Sequence, residues 1–230
     1  MTQSTSDPVA GASPERGRCR GVVAVGALVL FLLAMLAVVA GLTFSVMVTG
    51  SSMEPTLQQG DRLELDLLNR HAIERFDLVE ALQPGPDDEG GGRPIVKRVI
   101  GLPGDRVAIV GDPVAPQVLI KPAGQDDVFR VENPAWPPRV GAGTESCCTP
   151  EGAVVRGGAQ AWATVPESSY WVLGDNWGAS TDSRIFGWVP REDIQARLWF
   201  RILPVSRFGT VDNDVRLVPV PDPPPVAGGA

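Results

Sequence analysis

Hydrophobic and polar positions divide this chain in two. From Gly21 to Val48 no charged residue occurs, whereas beyond Asp61 apolar residues come in short runs broken by glycine, proline and acids. As one helix, residues 21–48 would extend roughly 42 Å, against roughly 30 Å of bilayer hydrocarbon. The end of the run, Thr43-Phe44-Ser45-Val46-Met47-Val48, is rich in β-branched and aromatic residues. The pattern therefore predicts a transmembrane helix over 21–43 and a first strand starting at residue 44.

Further strands are expected at Leu63–Leu68, Phe76–Leu82, Ile95–Ile100 and Val107–Val110, from short apolar runs with partial alternation. Gln-Pro-Gly-Pro-Asp-Asp-Glu-Gly-Gly-Gly-Arg-Pro, residues 83–94, breaks any regular element and joins two strands of an antiparallel pair. Residues 111–166 mix proline, glycine and apolar patches such as Val118-Leu119-Ile120, and read as an inserted region of irregular β structure. Regular strands resume at Ser169–Leu173, Gly187–Val189 and Arg197–Leu203. Residues 1–20 read as a disordered tail. Residues 211–230 form a Pro-rich tail that is not expected to pack after Val218. With 22 prolines, 26 glycines and no long amphipathic helix after residue 48, the class is mainly β. Lacking crossover helices, it is antiparallel: a β core over 44–110 and 167–210 with the smaller region between.

The net charge is −7. Residues 1–20 carry a small positive excess, so the acidic balance lies in the rest, which disfavours nucleic-acid binding. Arg16, Arg18 and Arg20 precede the apolar run and predict a cytoplasmic amino terminus, a single span in the cell membrane and an extracytoplasmic domain. The competing reading, a cleaved secretory signal, fits less well because the apolar core exceeds the usual length of about 7–15 residues. Cys19 falls on the cytoplasmic side and is expected to stay reduced. Cys147 and Cys148 are neighbours outside it: a strained vicinal disulfide, a bridge to another chain, or free thiols.

The chemistry starts at Ser52, in Gly-Ser-Ser-Met-Glu-Pro-Thr-Leu, close behind the apolar run. A serine hydroxyl needs a base to remove its proton as it attacks. The chain has one histidine, His71, set in Leu-Asn-Arg-His-Ala, which reads as a solvent-facing loop. A lysine therefore comes into question, and the choice falls on Lys97, flanked by Val96 and sharing a strand face with Ile95 and Val99, an apolar setting. Burial disfavours an ammonium and can make it a neutral base. Taken alone, Lys97 reads sooner as an ordinary exposed strand lysine paired with Asp105, and Ser52 as a turn residue. A third segment, Gly-Asp-Asn-Trp-Gly-Ala-Ser-Thr-Asp-Ser-Arg-Ile-Phe-Gly (174–187), packs small polar residues with an acid and an arginine between two strands. By itself it reads as a polar loop held by Asp182 and Arg184.

Together, in order and spacing, the three segments resemble bacterial signal peptidase I, a membrane-bound Ser-Lys endopeptidase that removes signal peptides from exported proteins. Ser-Met-Glu-Pro-Thr-Leu is similar to its nucleophile motif, Lys-Arg-Val-Ile-Gly-Leu-Pro-Gly-Asp to its lysine motif, and Gly-Asp-Asn with Ser-Thr-Asp-Ser-Arg to its third motif. The resemblance implies Ser52 as nucleophile, Lys97 as general base, Ser180 hydrogen-bonding and orienting the lysine amine, and Asp182 with Arg184 as a supporting ion pair. Ser52 N–H would be one oxyanion donor. Some relatives carry a serine as second donor where this chain has Gly50, so a Gly50 backbone group or Ser51 stands in. Trp177 replaces a common arginine, and Phe76-Asp77 a common Gly-Asp. The implied substrates are signal-peptide-bearing precursors with small residues one and three positions before the cut, met at the lipid bilayer. No cofactor and no metal are expected, since no cysteine–histidine spacing or phosphate loop occurs. Two other readings remain: a Ser-Lys endopeptidase dedicated to one partner, and an inactive β module that binds extended peptides by strand addition.

Overall fold

The computed structural model describes residues 15–84, 92–112, 115–136, 146–147, 154–155 and 161–226. The expectations for the tail before residue 15, for most of the 83–94 loop, for Cys148 and for residues 227–230 lie outside these, as do the side chains of Cys19 and Cys147. The chain divides into two units, 1–44 and 45–230.

The first unit contains α1, Glu15–Thr43. It starts before Gly21 because Glu15, Arg16, Arg18 and Arg20 favour helix and nothing there stops one. Its apolar part, Gly21–Thr43, has a mean hydropathy of 3.1 and is long enough to cross a membrane. Its large apolar side chains are exposed, from Val22 at 73% to Leu42 at 41%. A helix apolar on every side calls for an apolar surrounding.

The second unit is built from antiparallel strands in two sheets. In chain order they are β1 (Ser45–Met47), β2 (Arg62–Asp66), β3 (Leu78–Gln83), β4 (Arg93–Gly101), β5 (Arg106–Asp112), β6 (Ala115–Lys121), β7 (Phe129–Glu132), β8 (Ser146–Cys147), β9 (Val154–Val155), β10 (Ala163–Thr164), β11 (Ser169–Leu173), β12 (Val189–Pro190), β13 (Ile194–Leu203), β14 (Gly209–Thr210) and β15 (Arg216–Pro219). A one-turn helix, α2 (Ser183–Phe186), precedes β12. The first sheet runs β1-β2-β13-β3-β4-β11-β12, with β14 beside β13. The second runs β15-β7-β6-β5-β8-β9, with β10 beside β5. Strand β13 buries alternate residues Ile194, Ala196 and Leu198, and its register breaks against β2 and β3 let one strand bridge both.

Three features depart from the sequence expectations. The second sheet begins at Arg106, so β5 belongs to it rather than to the first sheet. Within 111–166, β6 and β7 are regular strands, Leu119 pairing with Arg130 and Ile120 with Phe129. Ile100, Trp171 and Leu173 of the first sheet share one apolar cluster with Val107, Ile109, Val118, Ile120 and Val131 of the second, so the inserted region is packed onto the core. The tail also packs. Arg216–Pro219 pairs with β7, Leu217 facing Val131, and Val220 N–H donates to Val128 O at 2.9 Å. Pro219 is tolerated because β15 is an edge strand whose outer side needs no donor. Val220 and Val226 then lie against the cluster of Ala108, Val110 and Leu119.

Candidate active site

Ser52 stands in a turn whose apolar neighbours are pinned. Met53 and Leu57 are 1% and 0% exposed and pack with Val48, Leu63, Leu78 and Leu198. Polar bonds hold the other side: Asn176 N–H donates to Ser52 O at 2.9 Å, and Asn176 Nδ2 to Ser51 O at 3.1 Å. The hydroxyl is thus left at a half-buried position on a fixed backbone.

Lys97 comes from β4, opposite Val79 of β3. It is 3% exposed, and its Nζ lies 2.7 Å from Ser52 Oγ and 3.1 Å from Val96 O. Burial pulls its pKa down from 10.5 to about 8; Arg93 and Arg184 push the same way, while Asp182 opposes them. Asp105 does not pair with it, being held by Arg75 at 2.7 Å and by the N–H groups of Leu102 and Ala123. His71 is exposed and accepts from Arg70 Nε.

The third segment wraps behind this pair. Asp182 caps α2, accepting from Arg184 N–H, and pairs with Arg184 Nε at 2.8 Å. Its other oxygen accepts from Gly174 N–H at 2.9 Å, and both side chains are buried. Arg184 Nη2 also donates to Trp177 O and Ser180 O, and its guanidinium lies 4.3 Å over the Trp177 ring. Trp177 is buried edge-on against Trp136, whose Nε1 donates to Gly174 O at 3.1 Å. The segment is therefore held in shape by a dry ion pair rather than a solvated one.

Gly174 sits where the parts converge. A Cβ there would overlap Ser180 Oγ, Ser180 Cβ and Ser52 O, so only glycine admits this approach. The expected bond from Lys97 to Ser180 is not formed: the amine is bonded to Ser52 Oγ and Val96 O. Ser180 Oγ is buried with no partner among the described residues. Gly50 is exposed, and a Cβ added to it would meet nothing within 4 Å. Phe76 has φ of 73°, a left-handed conformation that costs a side chain roughly 1–2 kcal/mol. Its ring packs against the shared core, and its N–H donates to Val99 O at 2.7 Å, which offsets that cost.

Sequence reasoning missed the buried hub beside the site. Asp175 accepts from Arg98 Nε and Nη2 at 2.9 and 2.6 Å, from Asn133 Nδ2 at 2.8 Å and from Thr56 Oγ1 at 2.5 Å. With its oxygens filled, the carboxylate has hydrogen-bond partners for its burial at 0% exposure. Arg98 follows Lys97 and Asp175 follows Gly174, so adjacency to the motif residues was the available signal. That they meet Thr56 and Asn133 was not readable.

A cleft of about 180 Å³ opens beside Ser52, lined by Val46, Val48, Gly50, Met53, Val96 and Lys97 and by two further charged residues, Glu80 and Arg93. Among the described residues, both its strands have a side with no strand beside it: β1 pairs with β2, and β4 pairs with β11 from Arg98 onward, leaving Arg93–Lys97 paired with β3. An extended peptide entering there finds backbone partners on both sides.

A hydroxyl against a buried amine, beside a peptide-sized cleft with free strand edges, has the chemical make-up of a hydrolase acting through serine. The chain belongs to the family described as signal peptidase, peptidase S26, which matches residues 21–203. Its members are serine-type peptidases that remove signal peptides, and this chain is one of those enzymes. It is 33% identical over 180 residues to a signal peptidase I of Streptococcus pneumoniae, covering 72% of this chain and 85% of that one. It is 31% identical over 166 residues to mitochondrial inner membrane protease subunit 1 of Mus musculus, covering 71% and 72%. A solved signal peptidase I from Enterococcus faecalis aligns over 55% of this chain and 96% of its own, at 28% identity and a TM-score of 0.37.

Proposed function

We propose that the chain is anchored by α1 in the cell membrane, amino terminus in the cytoplasm, and cuts exported precursors outside with a Ser52–Lys97 dyad. The observation that carries this is the 2.7 Å contact between Ser52 Oγ and the amine of Lys97, a residue 3% exposed. As Ser52 Oγ attacks the scissile carbonyl, its proton passes to the neutral Lys97 Nζ. The resulting ammonium gives that proton to the departing amine, so the peptide bond breaks and an ester on Ser52 remains. A water loses its proton to Lys97 and attacks the ester; as the bond from the carbonyl to Ser52 Oγ breaks, Lys97 returns that proton to Oγ, freeing Ser52 and the neutral amine.

Ser52 N–H, with a backbone group at Gly50, is the proposed cradle for the oxyanion. Ser180, whose buried hydroxyl beside Gly174 has no hydrogen-bond partner among the described residues, is the proposed acceptor that steadies the Lys97 ammonium. Asp182 and Arg184 hold the segment that presents it. The substrate lies extended between β1 and Arg93–Lys97, its small residues facing a cleft of about 180 Å³. A precursor whose own apolar segment sits in the bilayer arrives already concentrated near the site.

The test is the full-length protein in lipid vesicles with a labelled secretory precursor. Wild type should release the signal peptide, Ser52→Ala and Lys97→Ala should not, and His71→Ala should behave as wild type. Cleavage by Lys97→Ala, or its loss in His71→Ala, would overturn the dyad.

A further inference from the structure

Glu80 of β3 stands directly opposite Val96 of β4. Opposed side chains of an antiparallel pair emerge on one face. Val96 packs with Val46, Val48 and Met53 and lines the cleft beside Ser52, and Glu80 lines the same cleft. A carboxyl group in this apolar wall is costly to charge. Burial raises its pKa above the usual carboxylate range, and no cation offsets that rise. Among the described residues Glu80 has no hydrogen-bond or ion-pair partner. Arg93, the other charge in the cleft besides Lys97, acts on Lys97 instead.

A half-buried acceptor without a partner, aimed into a substrate cleft, is a group that the substrate completes. An extended peptide presents alternate residues to one wall, about 6.6–6.8 Å apart. The residue just before the cut must sit beside Ser52 and Lys97. The next one on that wall is the third before the cut. Glu80 lies one strand further in than Val96, about 4.8 Å behind the free edge. We infer that Glu80 sets the preference of this cleft, favouring at the third position before the cut a side chain that donates a hydrogen bond, such as threonine or serine, over an aliphatic one of equal size. The inference rests on the proposed dyad and on the peptide lying in this cleft.

Valine and threonine have the same shape and differ only in a methyl against a hydroxyl, so they isolate the effect. Two forms of one secretory precursor, with threonine or valine at that position and alanine just before the cut, are given to the full-length enzyme in vesicles. Wild type should favour threonine in kcat/KM by about tenfold, the size expected from one net hydrogen bond to a half-buried acceptor. Glu80→Val should reverse the preference, and Glu80→Gln, whose amide still accepts, should keep part of it. Both exchanges remove a half-buried charge and are expected to fold. An equal preference in wild type and Glu80→Val would overturn the inference while leaving the dyad intact. A Ser52→Ala control that cuts both precursors like wild type would overturn the dyad, and the inference with it.

Discussion

Replacing Lys97 by methionine tests whether burial makes the amine easier to deprotonate at a cost to the fold. A pKa lowered from 10.5 to about 8 means that about a tenth of the molecules carry the free base at pH 7, against about 0.03% for an ordinary lysine. The same shift acts on stability. The native state binds fewer protons than the unfolded chain between about 8 and 10.5, so stability rises with pH across that window. Below pH 8 the fold carries the whole cost, about 3 kcal/mol at about 1.4 kcal/mol per pH unit. Methionine fills nearly the same space without a charge. Allowing about 1 kcal/mol for the lost hydrogen bonds, Lys97→Met should be more stable than wild type by about 2 kcal/mol at pH 7. The advantage should fade as pH approaches 10.5. Urea unfolding of both proteins at pH 7 and 10 measures this, and taking the difference cancels every other titrating group. Precursor cleavage by the variant should vanish, while log kcat/KM of wild type should climb with pH and level off near 8. A variant destabilised at pH 7, or a wild-type limb that keeps rising past pH 10, would refute the desolvated base.

Gly174→Ala should lower stability by about 1–3 kcal/mol, since its Cβ meets Ser180 and the Ser52 backbone, and should cut kcat far more than KM. Ser180→Ala removes a buried hydroxyl that has no partner among the described residues, so thermal unfolding should show no loss while turnover falls. Unchanged turnover would remove Ser180 from the mechanism. Gly50→Ser has room for its side chain and should raise kcat severalfold by adding an oxyanion donor; steady-state rates without a gain would assign that task to the backbone already present.

Much of the candidate site was legible because its residue types sit in short local patterns. Ser52, Lys97 and the 174–187 segment each sit in a distinctive short string, and the lone, loop-like His71 left an amine as the base. Ser180 was legible as a residue but not as a bond, since Lys97 Nζ reaches Val96 O instead. Glu80 left no signal at all: in Leu-Val-Glu-Ala-Leu it looks like the solvent face of a strand, and only the curl of β1 toward β4 turns that face into a cleft wall.

Local alternation and an uncharged run were enough to define an apolar helix followed by antiparallel strands, because burial of a face and length in lipid are properties of neighbouring residues. What the chain order could not contain was distance. Whether Asp175 meets Thr56 and Asn133, whether Leu217 returns to Val131, and how dry Lys97 becomes all depend on strands far apart in sequence closing over one another. The basicity of that amine follows from the packing around it, which no window along the chain can measure.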